Sequence, residues 1–288
     1  MRNYSIGIIG KGFVGSAVAF GFSAATGWST EIRIYDKDQS KSLNSLEDTV
    51  NNSDFIFVSV PTPAKSNGDI DLSILNNAIG EIASVNENKD NIVLVRSTVS
   101  PGTTREIQAQ FPELRIVFNP EFLTERSAKL DFINQSRVIL GGDSINTSKV
   151  RDLYKKRFGE FLPVVETTFE TAELIKYMNN LFFATKVSFL NEMFIISDKV
   201  GANWEDAING FILDSRIGHS HLQIPGPDGK FGFGGSCFPK DIQAMINFAK
   251  EIDVETSVLE GAWKTNLRVR PERDWEQLKG RAISDSDE

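Results

Sequence analysis

Short apolar segments alternate with amphipathic segments over the first 165 residues. Seven of the apolar segments are rich in β-branched residues and are typical of buried strands: YSIGIIG, EIRIYD, DFIFVSV, NIVLVRS, RIVFNP, SRVILGG and FLPVVET. They do not alternate strictly between apolar and polar positions, which favours a parallel sheet covered on both faces. Helix candidates lie near residues 13–26, 71–85, 101–110 and 144–158. This order predicts a doubly wound α/β domain over residues 1–165.

The pattern changes after about Glu166, where longer amphipathic segments replace the short apolar ones. Residues 170–200 contain neither proline nor glycine, which predicts one extended helix that ends at Gly201. Asn203 followed by Asp206 is typical of a capped helix start, so a second helix is expected there.

Two further helices are expected toward the end of the chain. Pro239 fits the first turn of a third helix that runs to about Glu251, and TSVLEGAWKTNLRVR predicts a fourth. Residues 166–270 are therefore expected to form a smaller, all-helical domain. The polar tail 271–288 is expected to be loosely held.

Composition favours a soluble globular protein. The chain has 288 residues, of which 40% are hydrophobic and 24% are charged, and no apolar run approaches the roughly 18 residues of a membrane span. Its net charge of −8 argues against nucleic acid or an anionic membrane as the main partner. The single cysteine cannot form an internal disulfide, and no signal peptide is evident. A cytoplasmic location is therefore expected.

The only two histidines, His219 and His221, lie together in one predicted loop. Histidines two residues apart can bind a metal, but no cysteine or carboxylate spacing supports such a site here. No metal is expected, and both histidines are interpreted as polar loop residues.

A GxGxxG motif follows the first predicted strand and opens a predicted helix. Its glycines are Gly10, Gly12 and Gly15, which allow a tight turn and let backbone N–H groups approach a pyrophosphate. Asp36 ends the second strand, 21 positions after Gly15, where an acidic side chain bonds the adenosine ribose hydroxyls. The combination predicts a Rossmann-type domain that binds NAD. Lys37 leaves NADP open, and a flavin is the competing cofactor.

Cys237, the single cysteine, lies just before the helix that begins near Pro239. Backbone N–H groups, the helix dipole and Lys240 would all stabilise a thiolate at this position. The glycines before it let a ligand approach the backbone. A lone cysteine is more often an inert, buried side chain, but these flanking residues favour a reactive one.

Other polar residues complete the candidate chemistry. Lys176 and Asn180 are four residues apart, so they share one face of the long helix and can polarise a substrate oxygen. Glu121 and Glu125 follow the fifth strand as candidate acids or bases, and Thr98 follows the fourth. A solvated surface position is the simpler interpretation of each residue taken alone.

These motifs occur together in one family. SVPTP, RSTVSPGTT, NPEFLTE, ELIKYMNN and GFGGSCFPKD occur in the order found in the NAD-dependent nucleotide-sugar 6-dehydrogenases, the UDP-glucose/GDP-mannose dehydrogenase family, which the chain resembles over residues 4–268. The resemblance implies the oxidation of a primary alcohol to a carboxylate in two steps with two NAD, through a thiohemiacetal and a thioester on Cys237.

The resemblance also implies individual roles. Lys176 and Asn180 would stabilise an oxyanion, Asp241 and Thr98 would hold a water, and Glu121 would assist hydrolysis as a base. The implied cofactor-binding residues are Gly10, Gly12, Phe13, Val14, Gly15, Asp36, Pro61, Thr62, Thr98 and Glu125. The implied substrate-binding residues are Glu121, Phe122, Leu123, Lys176, Asn180, Arg216, Phe231, Gly232, Phe233, Gly234 and Gly235.

Arg216 matches an arginine that reaches the substrate of a neighbouring subunit in the family, which implies a homodimer through the helical domain. RIG around Arg216 and NPEFL favour the UDP-glucose branch over the GDP-mannose branch. Family members carry a further C-terminal α/β domain that grips the nucleotide, and no second strand-and-glycine pattern follows Arg270 here. Weak nucleotide-sugar binding is therefore expected.

Two other classes of function stay open at this point. A β-hydroxyacid dehydrogenase has a similar two-domain plan and a lysine and asparagine four apart, but it makes one hydride transfer and needs no cysteine. A non-catalytic NAD-binding subunit is the third possibility. A β-hydroxyacid dehydrogenase should keep its turnover after replacement of Cys237, whereas a nucleotide-sugar 6-dehydrogenase should not. NAD binding without any NADH formation identifies the non-catalytic subunit.

Overall fold

The computed structural model describes residues 4–28 and 30–284, which form two compact units. The first unit contains the described residues up to Thr62 together with Leu72–Lys176, and the second contains Pro63–Asp71 and the described residues from Tyr177 onward. The division between them falls inside one long helix. No helix among the described residues is long and apolar enough to cross a membrane.

A seven-stranded sheet forms the centre of the first unit, in the order β2-β1-β3-β4-β5-β6-β7. Each strand lies in one of the seven segments that the sequence predicted, and every residue of β1, β3 and β4 is buried. The strands are β1 (Ile6–Ile9), β2 (Ile32–Tyr35), β3 (Phe55–Val58), β4 (Ile92–Val95), β5 (Ile116–Phe118), β6 (Val138–Gly142) and β7 (Val164–Thr167).

Helices cover both faces of this sheet, which confirms the doubly wound α/β fold. They are α1 (Phe13–Gly21), α2 (Leu46–Asn51), α3 (Ser73–Val85), α4 (Thr103–Gln110), α5 (Ala128–Ile133) and α6 (Ser144–Phe158). Apolar residues of α1, α5 and α6 pack in one core, and those of α2, α3 and α4 pack in the other. The sequence did not predict α2 and α5, which have six residues each.

One strand pair departs from the expected parallel sheet. β5 and β6 are antiparallel, with Val117 opposite Gly142 and Phe118 opposite Gly141, whereas β6 and β7 run parallel to each other. A strand buried on both faces is apolar throughout whichever way it runs. Hydrophobic pattern alone therefore does not encode the direction of β6.

The long predicted helix exists as α7 (Phe169–Val200), which begins in the first unit and continues into the second. The other three predicted helices are also confirmed as α8 (Trp204–Phe211), α9 (Phe238–Glu251) and α10 (Ser257–Val269). Asn203 caps α8 as expected, because its side chain accepts hydrogen bonds from the N–H groups of Glu205 and Asp206.

The tail differs from the expectation of a loosely held segment. Trp275, in the 3₁₀ helix Asp274–Gln277, is only 4% exposed, and its ring centroid lies 5.3 Å from that of Trp263. Ser284 donates a backbone hydrogen bond to Ala64 and a side-chain hydrogen bond to Asp71. Residues 271–284 are thus packed within the second unit, because a buried aromatic ring and strand-like hydrogen bonds hold them. Residues 285–288 lie outside the described residues.

Candidate active site

The turn between β1 and α1 uses its three glycines in three different ways. Gly10 has a φ of +89°, and a Cβ atom there would lie 2.6 Å from the carbonyl oxygen of Ser59. A Cβ on Gly15 would lie 2.0 Å from the carbonyl oxygen of Gly10, so glycine is required for close packing of helix on strand. Apart from the adjacent residues of the turn and helix, no described residue approaches within 4 Å of a Cβ built on Gly12. Gly12 therefore leaves the open space that a phosphate group needs.

Asp36 lies directly after β2, beside this turn. Its carboxylate accepts hydrogen bonds from the backbone N–H groups of Lys11 (2.6 Å) and Asp38 (2.8 Å). The acid is therefore held against the glycine turn, as a bond to an adenosine ribose requires. Phe13 and Val14 begin α1 and are half-buried. The turn and the acid together fit a bound dinucleotide.

Three further predicted cofactor residues follow β3, which pairs with β1, and β4, the next strand of the sheet. The hydroxyl of Thr62 donates to the carbonyl oxygen of Thr98 at 2.7 Å, which ties the ends of the two strands together. Thr62 is buried, Thr98 is half-buried and Pro61 is exposed. The carboxyl ends of the strands at a switch point of strand order are where ligands bind in such sheets.

Glu121 and Lys176 form a buried ion pair in the first unit. The ammonium group of Lys176 lies 3.1 Å from Oε1 of Glu121 and also donates to the main-chain oxygen of Glu121 at 2.5 Å. The other carboxylate oxygen of Glu121 accepts a hydrogen bond from the N–H of Leu123. The Lys176 ammonium also lies 5.5 Å from the centroid of the Phe122 ring. A lysine and a carboxylate with proposed chemical roles are thus held in contact.

The structure brings Glu125 into a different setting from Glu121. Glu125 begins an exposed 3₁₀ turn, Glu125–Ser127, whereas Glu121 is buried.

A third acid that the sequence did not single out, Glu173 on α7, accepts hydrogen bonds from the N–H groups of Gly102 and Thr104 and so caps the start of α4. Burial raises the pKa of Glu173. Its contacts indicate a structural role.

Cys237 occupies the N-cap position of α9, as the sequence predicted. It is half-buried, and its sulfur lies 3.8 Å from the hydroxyl of Ser236. Pro239 stands in the first turn of the helix, and the N–H of Asp241 donates to the carbonyl oxygen of Cys237. A helix N-terminus carries partial positive charge, which favours anionic groups placed there.

Asp241 connects two other candidate residues in the second unit. One of its carboxylate oxygens accepts a hydrogen bond from Nδ2 of Asn180 at 2.6 Å, and the other accepts from Nζ of Lys240 at 2.6 Å. All three side chains are buried, with Asp241 only 1% exposed. The sequence predicted Asn180 and Asp241 as site residues but did not predict that they contact each other or that Lys240 neutralises the acid.

Arg216 contacts neither the Lys176–Glu121 pair nor the group formed by Asn180 and Asp241. Its side chain is 87% exposed and is paired with Asp214. His221, in the same loop, stacks on Phe183 with ring centroids 4.1 Å apart, so it is more than the polar loop residue that the sequence suggested. Burial, together with the nearby charge of Lys186, lowers the pKa of His221.

The glycine-rich segment before Cys237 contains Phe231, Gly232, Phe233, Gly234 and Gly235. Phe233 is buried and Phe231 is exposed. Two residues that the sequence analysis missed, Asn266 and Arg270, contact this segment from the end of α10. They are separated from it by more than thirty positions and form no recognisable motif, so no local signal identifies them.

Two domain models of one protein family match the chain, one in each part. Residues 41–158 match the NAD binding domain of the UDP-glucose/GDP-mannose dehydrogenase family, and residues 170–268 match the central domain of the same family. The chain is 36% identical over 241 residues to a UDP-glucose 6-dehydrogenase of Rickettsia typhi, covering 82% of this chain and 54% of that protein. It thus spans about half the length of the curated relatives it matches.

Solved structures give the same assignment. A UDP-glucose dehydrogenase from the archaeon Pyrobaculum islandicum superimposes with a TM-score of 0.80 at 28% identity, over 96% of this chain and 70% of that one. A GDP-mannose dehydrogenase from Pseudomonas aeruginosa superimposes with a TM-score of 0.66, also at 28% identity, over 95% of this chain and 70% of that one.

Proposed function

Because the chain belongs to the UDP-glucose/GDP-mannose dehydrogenase family, we propose that it carries the NAD-dependent oxidation of a nucleotide sugar at its C6 alcohol to the uronic acid. The observation that carries this proposal is the position of Cys237, the only thiol of the chain, at the start of α9. The same helix turn carries Asp241, which is hydrogen-bonded to Asn180 and Lys240. A nucleophile with supporting polar groups is what the second oxidation step requires.

NAD is the cofactor of the proposed reaction, and the first unit carries the residues that fit it. The open space at Gly12 suits the pyrophosphate, and the carboxylate of Asp36 suits the adenosine ribose. When bound, NAD supplies an acceptor for hydride from a substrate carbon. A 2′-phosphate would meet the negative charge of Asp36, which favours NAD over NADP.

The first oxidation converts the C6 alcohol into an aldehyde. The alcohol would lose its proton to the water that Asp241 and Thr98 are proposed to hold, and its hydride to NAD when NAD is bound. Lys176 and Asn180 are proposed to stabilise the oxygen as it gains negative charge. Lys176 is held by Glu121 and Asn180 is held by Asp241, so each donor is oriented before substrate arrives. An oriented donor costs less reorganisation in the transition state than a mobile one.

Cys237 makes the second oxidation possible. Its thiolate adds to the aldehyde carbon, a C–S bond forms, and the carbonyl π electrons move to oxygen to give a thiohemiacetal. Loss of hydride from the same carbon to a second NAD, bound in place of the first, would restore the C=O bond and give a thioester. Water then adds to the thioester carbon, and the C–S bond breaks to return the thiolate and release the carboxylate. We assign Glu121 as the base of this hydrolysis, with Asp241 and Thr98 holding the water.

UDP-glucose is the proposed substrate, with GDP-mannose as the alternative. The curated relative at 36% identity is named for UDP-glucose, and of the two solved structures, which share the same 28% identity, the one named for UDP-glucose has the higher TM-score. The test supplies purified protein with NAD and, in separate reactions, UDP-glucose, GDP-mannose and a UDP-N-acetyl sugar, and follows NADH. The highest kcat/KM with UDP-glucose supports the proposal. NAD binding without NADH from any of the three contradicts it.

A homodimer through the helical part of the chain is also proposed. Five apolar residues lie along one face of α7 and are 48–71% exposed: Met178, Phe182, Phe189, Ile196 and Val200. They span 23 residues, or about 33 Å of helix, and such a stripe is what a second copy would cover. Asp198 lies on the opposite face. Phe189→Lys is expected to give a monomer in analytical ultracentrifugation and Asp198→Lys to leave the dimer intact; a dimer with both, or a monomeric wild type, contradicts this.

The proposed location of this reaction is the cytoplasm. A reactive single cysteine fits a reducing compartment, where thiols stay free. Fractionation of cells that express the full protein, with recovery of the chain outside the soluble fraction, would overturn this proposal.

A further inference from the structure

The segment 231–235, named here the glycine loop, has no helix or strand of its own. One residue, Ser236, separates the glycine loop from Cys237. Its backbone polar groups are instead held by side chains from other parts of the second unit. The conformation of the glycine loop therefore depends on those side chains, because a loop without its own ladder of hydrogen bonds is not self-supporting.

Asn266, near the end of α10, bonds both backbone groups of Phe233. Its Nδ2 donates to the carbonyl oxygen of Phe233 at 2.9 Å, and its Oδ1 accepts from the N–H of Phe233 at 2.7 Å. The amide side chain thus replaces a neighbouring strand at this residue. Asn266 is fully buried, so loss of either bond would leave a backbone group without water as a substitute.

Arg270, one turn further along, holds both ends of the same loop. Its guanidinium donates to the carbonyl oxygen of Phe231 at 3.2 Å and pairs with Asp228 and Asp274 at 2.6 Å each. Asp274 in turn accepts a hydrogen bond from the N–H of Gly235 at 3.2 Å. The side chain of Arg270 is 2% exposed, and its fork geometry makes all three contacts at once.

The glycines of the loop match this arrangement. A Cβ on Gly232 would lie 2.4 Å from Oδ1 of Asn266, and a Cβ on Gly234 would lie 2.4 Å from the guanidinium of Arg270. Gly235 differs, because no described residue other than its chain neighbours comes within 4 Å of a Cβ built there, and its φ is +71°. Two of the three glycines thus accommodate Asn266 and Arg270, and Gly235 alone leaves space beside the backbone.

We propose that Asn266 and Arg270 are positioning residues that hold the glycine loop in the conformation that binds the nucleotide sugar and presents Cys237. The inference rests on the proposed function, in which the loop lines the sugar-phosphate site. The end of α10 would therefore determine the shape of that site without contacting the substrate. Loss of either residue loosens the loop and weakens sugar binding while leaving NAD binding in place.

The test compares Asn266→Asp and Arg270→Lys with the wild type. Asn266→Asp keeps the size of the side chain but removes the donor to Phe233, and Arg270→Lys keeps the charge but removes the fork. We expect KM for the nucleotide sugar to rise about tenfold or more in each, the effect of one buried unpaired group. KM for NAD is expected to stay within about twofold, because uniform binding of NAD is untouched. Circular dichroism establishes that each variant is folded.

Arg268→Met is the matched control. Arg268 lies on the same helix turn, is 63% exposed and pairs with Glu192, so its loss should leave both KM values unchanged. A general loss of folding would lower kcat and leave both KM values alone, which distinguishes a structural effect from the positioning role. Wild-type KM for the nucleotide sugar in both Asn266→Asp and Arg270→Lys overturns the inference.

A second readout separates this inference from the proposed function. Cys237 is the only thiol, so its alkylation by iodoacetamide reports on the loop in any variant, with or without turnover. We expect alkylation about fivefold or more faster in Asn266→Asp and Arg270→Lys, as the loop beside the thiol opens. No NADH from wild-type protein with faster alkylation in the variants refutes the proposed function and supports the positioning role. Unchanged alkylation in both variants refutes the positioning role.

Discussion

Asn180 on α7 and Asp241 on α9 are joined by a buried hydrogen bond of 2.6 Å between Nδ2 and Oδ2. The bond orients the Asn180 amide, and Lys240 balances the charge of the acid at its other oxygen. The two residues therefore act as one unit, in which Asp241 positions the amide that is proposed to stabilise the substrate oxygen.

The first prediction concerns this pair. Asn180→Asp places a second carboxylate against Asp241, whereas Asn180→Ala removes the donor alone. We expect kcat to fall about 100-fold in Asn180→Ala, the typical effect of losing one oxyanion donor. The kcat of Asn180→Asp is expected to fall further, and this variant is expected to unfold at a lower temperature, because two like charges then share a buried site. Steady-state kinetics and thermal unfolding check both, and near-wild-type kcat in Asn180→Ala would remove the residue from the proposed chemistry.

The second prediction concerns the buried pair of Lys176 and Glu121. Lys176→Met leaves the Glu121 carboxylate buried without its partner, which is expected to cost about 3 kcal/mol in the free energy of unfolding. Adding Glu121→Gln to that variant should return most of this loss, because the remaining pair carries no uncompensated charge. Urea denaturation of the single and double variants measures both values. Equal stability of Lys176→Met and the double variant would show that the ion pair does not couple the two residues.

Much of this arrangement was predictable because it is encoded locally. The GxGxxG turn, the acid after β2 and the proline in the first turn of α9 are read within a few residues, and all lie where the sequence placed them. The long helix was predicted from the absence of proline and glycine. Its partners were not, since the contact of Glu121 with Lys176 spans 55 positions.

The features that escaped prediction depend on tertiary packing. Asn266 and Arg270 contact the glycine loop across more than thirty positions, and Glu173 caps α4 from 69 positions away. The direction of β6 is not encoded in its apolar run, and the tail is fixed by Trp275 and Ser284. Each of these contacts is a property of the folded chain, with no sequence period or motif to indicate it.

The third prediction concerns cofactor choice. Asp36→Ala removes the carboxylate that suits the adenosine ribose and also removes its negative charge. We expect KM for NAD to rise about tenfold and the preference for NAD over NADP to shrink, since a charge-assisted hydrogen bond is lost. Asp38→Asn is the control, because it keeps the backbone N–H that donates to Asp36. An unchanged preference in Asp36→Ala would contradict the role of this acid.

The fourth prediction concerns pH. Burial lowers the pKa of His221 below 6.5, so the folded protein binds that proton less readily than the unfolded chain. The contribution of neutral His221 to stability is therefore complete above about pH 6.5 and is lost as the pH falls below it. His221→Asn removes this titration and tolerates the positive φ of 59° at the position. Urea denaturation is measured from about pH 7.5 to about pH 5, a range that brackets the ordinary histidine pKa of about 6.5. The free energy of unfolding should fall less over this range in His221→Asn than in the wild type. An equal fall in both proteins would contradict the prediction.

The most direct test of the central proposal is the number of NADH molecules formed for each nucleotide sugar consumed. With UDP-glucose in limiting amount and NAD in excess, we predict two NADH per sugar and a uronic acid product, because Cys237 is proposed to bind the aldehyde for a second oxidation. Cys237→Ser should then release at most one NADH per sugar. One NADH per sugar from the wild type, or unchanged turnover in Cys237→Ser, would contradict a thioester route and return the chain to the single-step dehydrogenases.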